Sequence, residues 1–236
     1  MEFRTLKANE IDCRVAQIDK TWLTLLLYKD ARADMDVLDE CAGNMNWKRE
    51  HIRDNANCIV SIWNSDIKEW VSKEDTGTES FSEAEKGLAS DSFKRACVNW
   101  GIGRELYTAP SIFILSKKDI KYKIYKDGKQ VEVDEFFEKG NGKYDTKTKF
   151  WVEYIDYTKD REIQNLIIRD QKNNIRFSQL TEDKEKELGK LDVAIKKAFN
   201  EDEELEQRIY NKYKIKDYAE LLIKQKKEIV ELINNG

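Results

Sequence analysis

From Leu180 to the end of the chain the apolar residues fall three and four apart: Leu188, Leu191, Ile195 and Phe199, then Leu205 and Ile209, then Tyr218, Leu221, Leu222, Ile229 and Leu232. That period puts one apolar stripe on each of a few helices. The polar run "QLTEDKEKELGK" opens this segment, with Thr181 placed as an N-cap and acids in the first turn. Between 111 and 180 the pattern shortens to strict alternation broken by glycine and asparagine. "KYKIYKDGKQVEV" reads as a hairpin about Asp127-Gly128, and "KFWVEYIDYTKDREIQNLIIRDQKNNIRFSQ" as two or three further strands.

Residues 1–110 mix both periods, and Pro110, the one proline, closes this zone. "RADMDVLDECAGNMNWKRE" predicts a short helix with Met35, Leu38 and Ala42 on one face and Gly43 as its stop. "NANCIVSIWNSDIKEWVSKEDTG" is two alternating runs about an Asn64-Ser65-Asp66 turn, a hairpin. Ser82 and Glu85 read as a capping box opening a second helix. On it Leu88, Ala89, Ser92, Phe93, Ala96 and Trp100 form the buried arc, with Lys86, Ser90, Lys94 and Arg95 opposite and Gly101 as the stop. The expected fold is therefore α+β: a hairpin-built antiparallel sheet packed on a helix within residues 1–180, with 111–180 as a β-rich extension, followed by a small helical unit over 181–236. A polar junction near Gln179 predicts that this last unit can be deleted from a folded core.

Composition narrows the function classes. The 236 residues carry 42 Lys+Arg against 46 Asp+Glu, a net charge of -4, so bulk attraction to nucleic acid is not the binding force. The middle is mildly basic, with 15 Lys+Arg against 12 Asp+Glu over 111–180, and local clusters must carry any anion site. A mean hydropathy of -0.77 and the absence of any run near the roughly 18 apolar residues of a membrane span predict a soluble chain with no membrane partner. A cytoplasmic location is expected. Cys13, Cys41, Cys58 and Cys97 are scattered with no C-x-x-C spacing, and His51 is the single histidine. Reduced, buried thiols are expected, without a zinc site or a disulfide framework.

No nucleotide-binding loop is present: "GIGRELY" follows a helix instead of opening one, and no G-x-x-x-x-G-K-[ST] occurs. No cofactor is expected. The acid pairs Glu74-Asp75 and Asp34/Asp36 keep a metal-dependent nuclease as the alternative reading.

Three stretches together, "YKDARADMDVLDECAGNMNW", the hairpin ending "KEDTG" and "SFKRACVNWGIGRELY", occur in the order of the annealing core of the Rad52 family. That family includes the eukaryotic recombination mediator and the Sak-type single-strand annealing proteins of phages, and the resemblance covers roughly residues 5–115. It implies a non-enzymatic, ATP-independent protein of DNA recombination and repair, built as an oligomeric ring with single-stranded DNA in a basic groove. Lys94 and Arg95 match the family's DNA-contacting pair, and Arg32 falls within one residue of a family arginine near the groove. Where the eukaryotic member has a further arginine three positions after the pair, this chain has Val98. Arg104, Lys48, Arg49 and Arg53 are the candidates for that missing charge. Trp100 and Tyr107 are expected in the core, with stacking on a base as the alternative for an aromatic such as Tyr107. The expected partners are single-stranded DNA and further copies of the chain; for the 181–236 unit, recognition of a host single-strand binding protein and a plain packing role stand as equal alternatives.

Overall fold

A computed structural model describes residues 2–78, 84–126 and 128–235. The expected Ser82–Glu85 capping box and Asp127 of the expected hairpin turn lie outside the described residues.

In chain order, β1 (Asp12–Ile18) and β2 (Trp22–Tyr28) precede α1 (Ala31–Ala42); β3 (Trp47–Ile52), β4 (Asn57–Asn64) and β5 (Glu69–Thr76) lead into α2 (Ala84–Asn99). Then come β6 (Ile112–Leu115), β7 (Lys121–Lys126), β8 (Lys129–Asp134), β9 (Phe136–Gly140), β10 (Lys143–Thr146), β11 (Phe150–Tyr157), β12 (Ile163–Asp170) and β13 (Ile175–Gln179). The helices α3 (Glu182–Glu201), α4 (Glu203–Tyr213) and α5 (Ile223–Asn235) close the chain. The fold is α+β with antiparallel sheets and a C-terminal helical segment, as the periodicity predicts. No helix among the described residues is long and apolar enough to cross a membrane.

The chain divides into two compact units, one of Met1–Asp12, Leu27–Ala109 and Lys159–Glu162, the other of Cys13–Leu26, Pro110–Thr158 and Ile163–Gly236. Pro110 marks a unit boundary, and the helical segment clusters with the β-rich extension.

In the first unit β3, β4 and β5 form an antiparallel sheet with β4 central. Asp30 accepts the amides of Arg32 and Ala33 at the start of α1, and Gly43 ends that helix at φ 87°, a conformation glycine adopts without a Cβ penalty. Helix α2 lies against β4 and β5, burying Ser92, Phe93, Ala96 and Cys97. Trp47 stacks on Phe93 at 6.2 Å between ring centroids. The strand pairing Trp47–Ile62, Arg49–Val60 and His51–Cys58 puts these residues on the side facing α2, since alternate residues share a face.

In the second unit six strands run in the order β13-β12-β11-β1-β2-β6. The sheet curls until its end strands meet, where the Arg176 guanidinium donates to the Leu115 carbonyl at 2.9 Å. Arg176 also pairs with Glu135 at 2.5 Å and Asp170 at 3.2 Å, all three side chains essentially buried. The helices have their own core of Ile195, Phe199, Ile209, Ile215, Leu221 and Ile229.

Candidate nucleic-acid interface

Lys94 and Arg95 are neighbours on α2, and successive helical residues project about 100° apart. They therefore serve two flanks of the helix. On one flank Lys29, itself buried, donates its ammonium to Asp34 and to the Lys94 carbonyl (3.4 Å). Burial pushes the Asp34 carboxyl up to about 6, against the opposing pull of Lys29 and, further off, of Lys94. Lys94 is half-buried and belongs to this α1-facing flank.

On the other flank Arg95 is 46% exposed and donates to Asp91 at 3.0 Å. Asp91 also accepts the Thr78 amide at 2.9 Å and its hydroxyl at 3.1 Å. Burial alone would raise Asp91, but the Thr78 and Arg95 donors outweigh it and hold the carboxyl below its ordinary range. The bond to Asp91 in turn raises Arg95 above the usual guanidinium value. Asp75 and Tyr107 lie within electrostatic reach of Arg95 as well. The guanidinium is thus oriented by a carboxylate while its remaining N–H groups stay open to solvent, a geometry suited to a phosphate oxygen.

Of the other candidates, Arg49 reaches α2 from β3, its guanidinium 4.7 Å from the Phe93 ring centroid. Lys48, next in the strand, points to the opposite face and stands 4.6 Å over Trp70. Arg53 is exposed in the β3–β4 turn, where Arg53, Asp54 and Asn55 all take left-handed backbone angles. Arg32 is exposed on the first turn of α1. Arg104 donates to the carbonyls of Val98 and Asn99 at 2.9 and 3.2 Å, so it caps the C-terminus of α2 and satisfies carbonyls that the helix cannot. The structure gathers Arg49, Lys94, Arg95 and Arg104 around α2, and leaves Lys48, Arg53 and Arg32 elsewhere on the unit.

The segment after α2 corrects the expectation for Tyr107, which is 77% exposed and not in the core. Trp100 is half-buried, donating its indole N–H to the Val60 carbonyl at 3.1 Å. Lys73, which sequence reading passed over, lies 4.5 Å above its ring. Cys58 and Cys97 are buried free thiols, burial pushing Cys58 up to about 11, whereas Cys13 and Cys41 are only half-buried. His51 sits within β3, and burial, then Arg49, lowers its pKa.

The acids considered for a metal do not converge. Glu74 pairs with Ile59 and Asp75 with Cys58 along β4–β5, so the two carboxylates leave opposite faces, Glu74 toward Asn57 and Asp75 toward Asn99. Asp34 is bound to Lys29, and Asp36 is exposed.

One contact here had no local signal. Arg161 comes from far along the chain to hold Gly101 and Phe3 carbonyls at 2.9 and 3.0 Å and Glu105 at 3.0 Å. Asp91 lies four residues before Arg95, a spacing that could have found the pair but was passed over.

No curated protein and no solved structure matches the chain. Residues 63–123, which hold the end of β4, β5, α2 and the Arg104–Tyr107 segment, match the model of the Rad52/22 family double-strand break repair protein. Through that segment the chain is Rad52/22-like, a resemblance to a family of DNA repair and recombination proteins that anneal single strands.

Proposed function

We propose that this protein binds single-stranded DNA and anneals complementary strands without ATP, acting as an oligomer in recombination and repair. The observation that carries the reading is the family match over residues 63–123, centred on the helix that bears Lys94 and Arg95. Two complementary strands repel through their phosphates, and each hides its bases in transient hairpins. A surface that neutralises the backbone and leaves base edges open removes both obstacles, and base pairing then drives the reaction. Cations near α2 suit that task because lysine and arginine contact phosphates without reading sequence. An annealing surface needs length, and a ring of subunits supplies it by repeating the same flank of α2 along the strand.

The test mixes the purified chain with labelled complementary strands, with and without magnesium and with no nucleotide. Annealing at equal rate in both arms with intact strands supports the reading. Strand loss that requires magnesium would instead favour a nuclease. Light scattering on the same sample should report a mass of many subunits, and a monomer at micromolar concentration with and without DNA would remove the oligomeric part.

A further inference from the structure

We infer that Tyr107 is a base-stacking platform: its ring takes a nucleobase of single-stranded DNA whose adjacent phosphate is held by Arg95. The inference rests on the proposed DNA-binding reading and deepens it.

Three observations carry it. Tyr107 leaves 77% of its surface in solvent. The backbone beneath it is fixed. Glu105, two residues earlier, is buried and accepts the Leu6 amide at 2.7 Å and Arg161 at 3.0 Å. Thr108, one residue later, returns its hydroxyl to the Glu105 carbonyl at 2.7 Å. Gly103 enters the 3-10 turn Arg104–Thr108 at φ 70°, where a Cβ would meet the Lys29 side chain. A ring on such a support is exposed without being loose, and little ordering entropy is lost when a base lands on it.

The third observation is the neighbour. Arg95 is an oriented, solvent-open guanidinium, and the Tyr107 hydroxyl is among the groups that act on it electrostatically. A nucleotide presents a phosphate and a π-face a few ångströms apart. Arg95 offers a partner for the first and Tyr107 for the second, in the arrangement by which sequence-tolerant single-strand sites combine charge with stacking. Because every base has a π-face, the contact selects unpaired strands over duplex and reads no sequence. Pairing edges stay free, as annealing demands.

The full-length chain is tested with a 30-mer of deoxythymidine in three variants. Tyr107→Ala should weaken binding about tenfold per engaged subunit, with the salt slope of affinity unchanged because no phosphate contact is lost. Tyr107→Phe should bind like the parent. The double change Lys94→Gln, Arg95→Gln should instead flatten the salt slope. Photo-crosslinking with a 5-iododeoxyuridine oligonucleotide should place an adduct on Tyr107. Binding by Tyr107→Ala equal to the parent, while the glutamine pair binds weakly, would overturn the stacking role and leave the annealing reading standing. A parent chain with no affinity for the oligonucleotide would overturn both. A fall in native mass for Tyr107→Ala, or an equal loss in Tyr107→Phe, would assign the side chain to a subunit contact or to its hydroxyl and overturn the inference.

Discussion

Asp34 is the residue on which stability and charge near α2 meet. Its carboxyl is fully buried with Oδ2 lacking a partner among the described residues, its Oδ1 is taken by Lys29, and burial raises its pKa from 3.8 to about 6. The folded protein then holds this proton more tightly than the unfolded chain. The contribution is complete below the unfolded value near 3.8 and is lost as pH rises through about 6. Denaturant midpoints should therefore show the parent losing stability relative to Asp34→Asn between pH 4 and pH 7, by at most about 3 kcal/mol. A difference between the two proteins that stays flat with pH would mean Asp34 is ionised throughout as the partner of Lys29. The flank-splitting of Lys94 and Arg95 gives a second expectation. Each single phosphate contact adds about 0.7 to the slope of log affinity against log salt. Arg95→Gln should reduce that slope more than Lys94→Gln, because Arg95 is open to solvent while Lys94 is half-buried beside Asp34. Equal slopes for the two variants would place the phosphate on neither flank in preference. At this scale the sequence pointed to the basic pair but not to its surroundings. The i, i+4 spacing of Asp91 and Arg95 carried a signal that went unread, while Lys29, reaching the Lys94 carbonyl across 65 residues, left no periodic trace. Tyr107 misled for a related reason: an aromatic near the end of an apolar helix reads as core by composition, and only the turn geometry shows that it points outward.

Among the elements, those with a complete local signature were legible. Helix α1 has its capping Asp30 and its stop at Gly43, the β4–β5 and β7–β8 hairpins have alternating arms about polar turns, and the three C-terminal helices follow the three-four spacing. Strand β3, "WKREHI", was not legible because its charged residues hide the alternation. Arg49 is apolar in effect, laying its guanidinium on Phe93, so the strand buries a face that looks polar in one-letter code. β1 and β2 were equally obscure, since their partners β11 and β6 lie far along the chain and local pattern cannot supply the pairing. The turn after α2 can be tested at this scale. Gly103 has φ 70°, and a Cβ there would fall 2.3 Å from Cε of Lys29. Gly103→Ala adds left-handed strain to a collision with a side chain already bound to Asp34, and strain of either kind costs of order 1–3 kcal/mol. Thermal melts should show that loss, with a parallel loss of DNA affinity because Tyr107 rides on the same turn. Unchanged stability would show that Lys29 moves aside freely and that the Lys29–Asp34 pair does not fix the turn.

At the scale of the molecule, the polar run before α3 reads as a clean place to cut, yet hydrogen bonds from a buried ion pair of the second unit run across it. Arg169 on β12 is buried beside Glu153 on β11 at 2.5 Å, and its guanidinium also donates to the carbonyls of Ala219 and Leu221 at 2.9 and 3.0 Å. Glu153 in turn accepts the Ile223 amide at 2.6 Å. A chain ending at Gln179 keeps the ion pair and loses all three of these bonds. Hydrogen bonds to charged groups each contribute about 1.5–3 kcal/mol, and water entering the opened site replaces part of that. The truncated protein should therefore fold with stability lowered on the order of 3 kcal/mol, read from its denaturant midpoint at constant m. The cause can be separated from simple loss of covering surface. Replacing the pair with Arg169→Met and Glu153→Leu in the truncated chain removes the stranded charges, and apolar replacement of a buried ion pair is often neutral or stabilising. Recovery of the midpoint in that doubly substituted, truncated chain would show that the helices are bound to the sheet chiefly through the ion pair. A truncated chain as stable as the parent, binding DNA equally well, would show that residues 181–236 are an independent unit and that Arg169 finds equivalent partners without them.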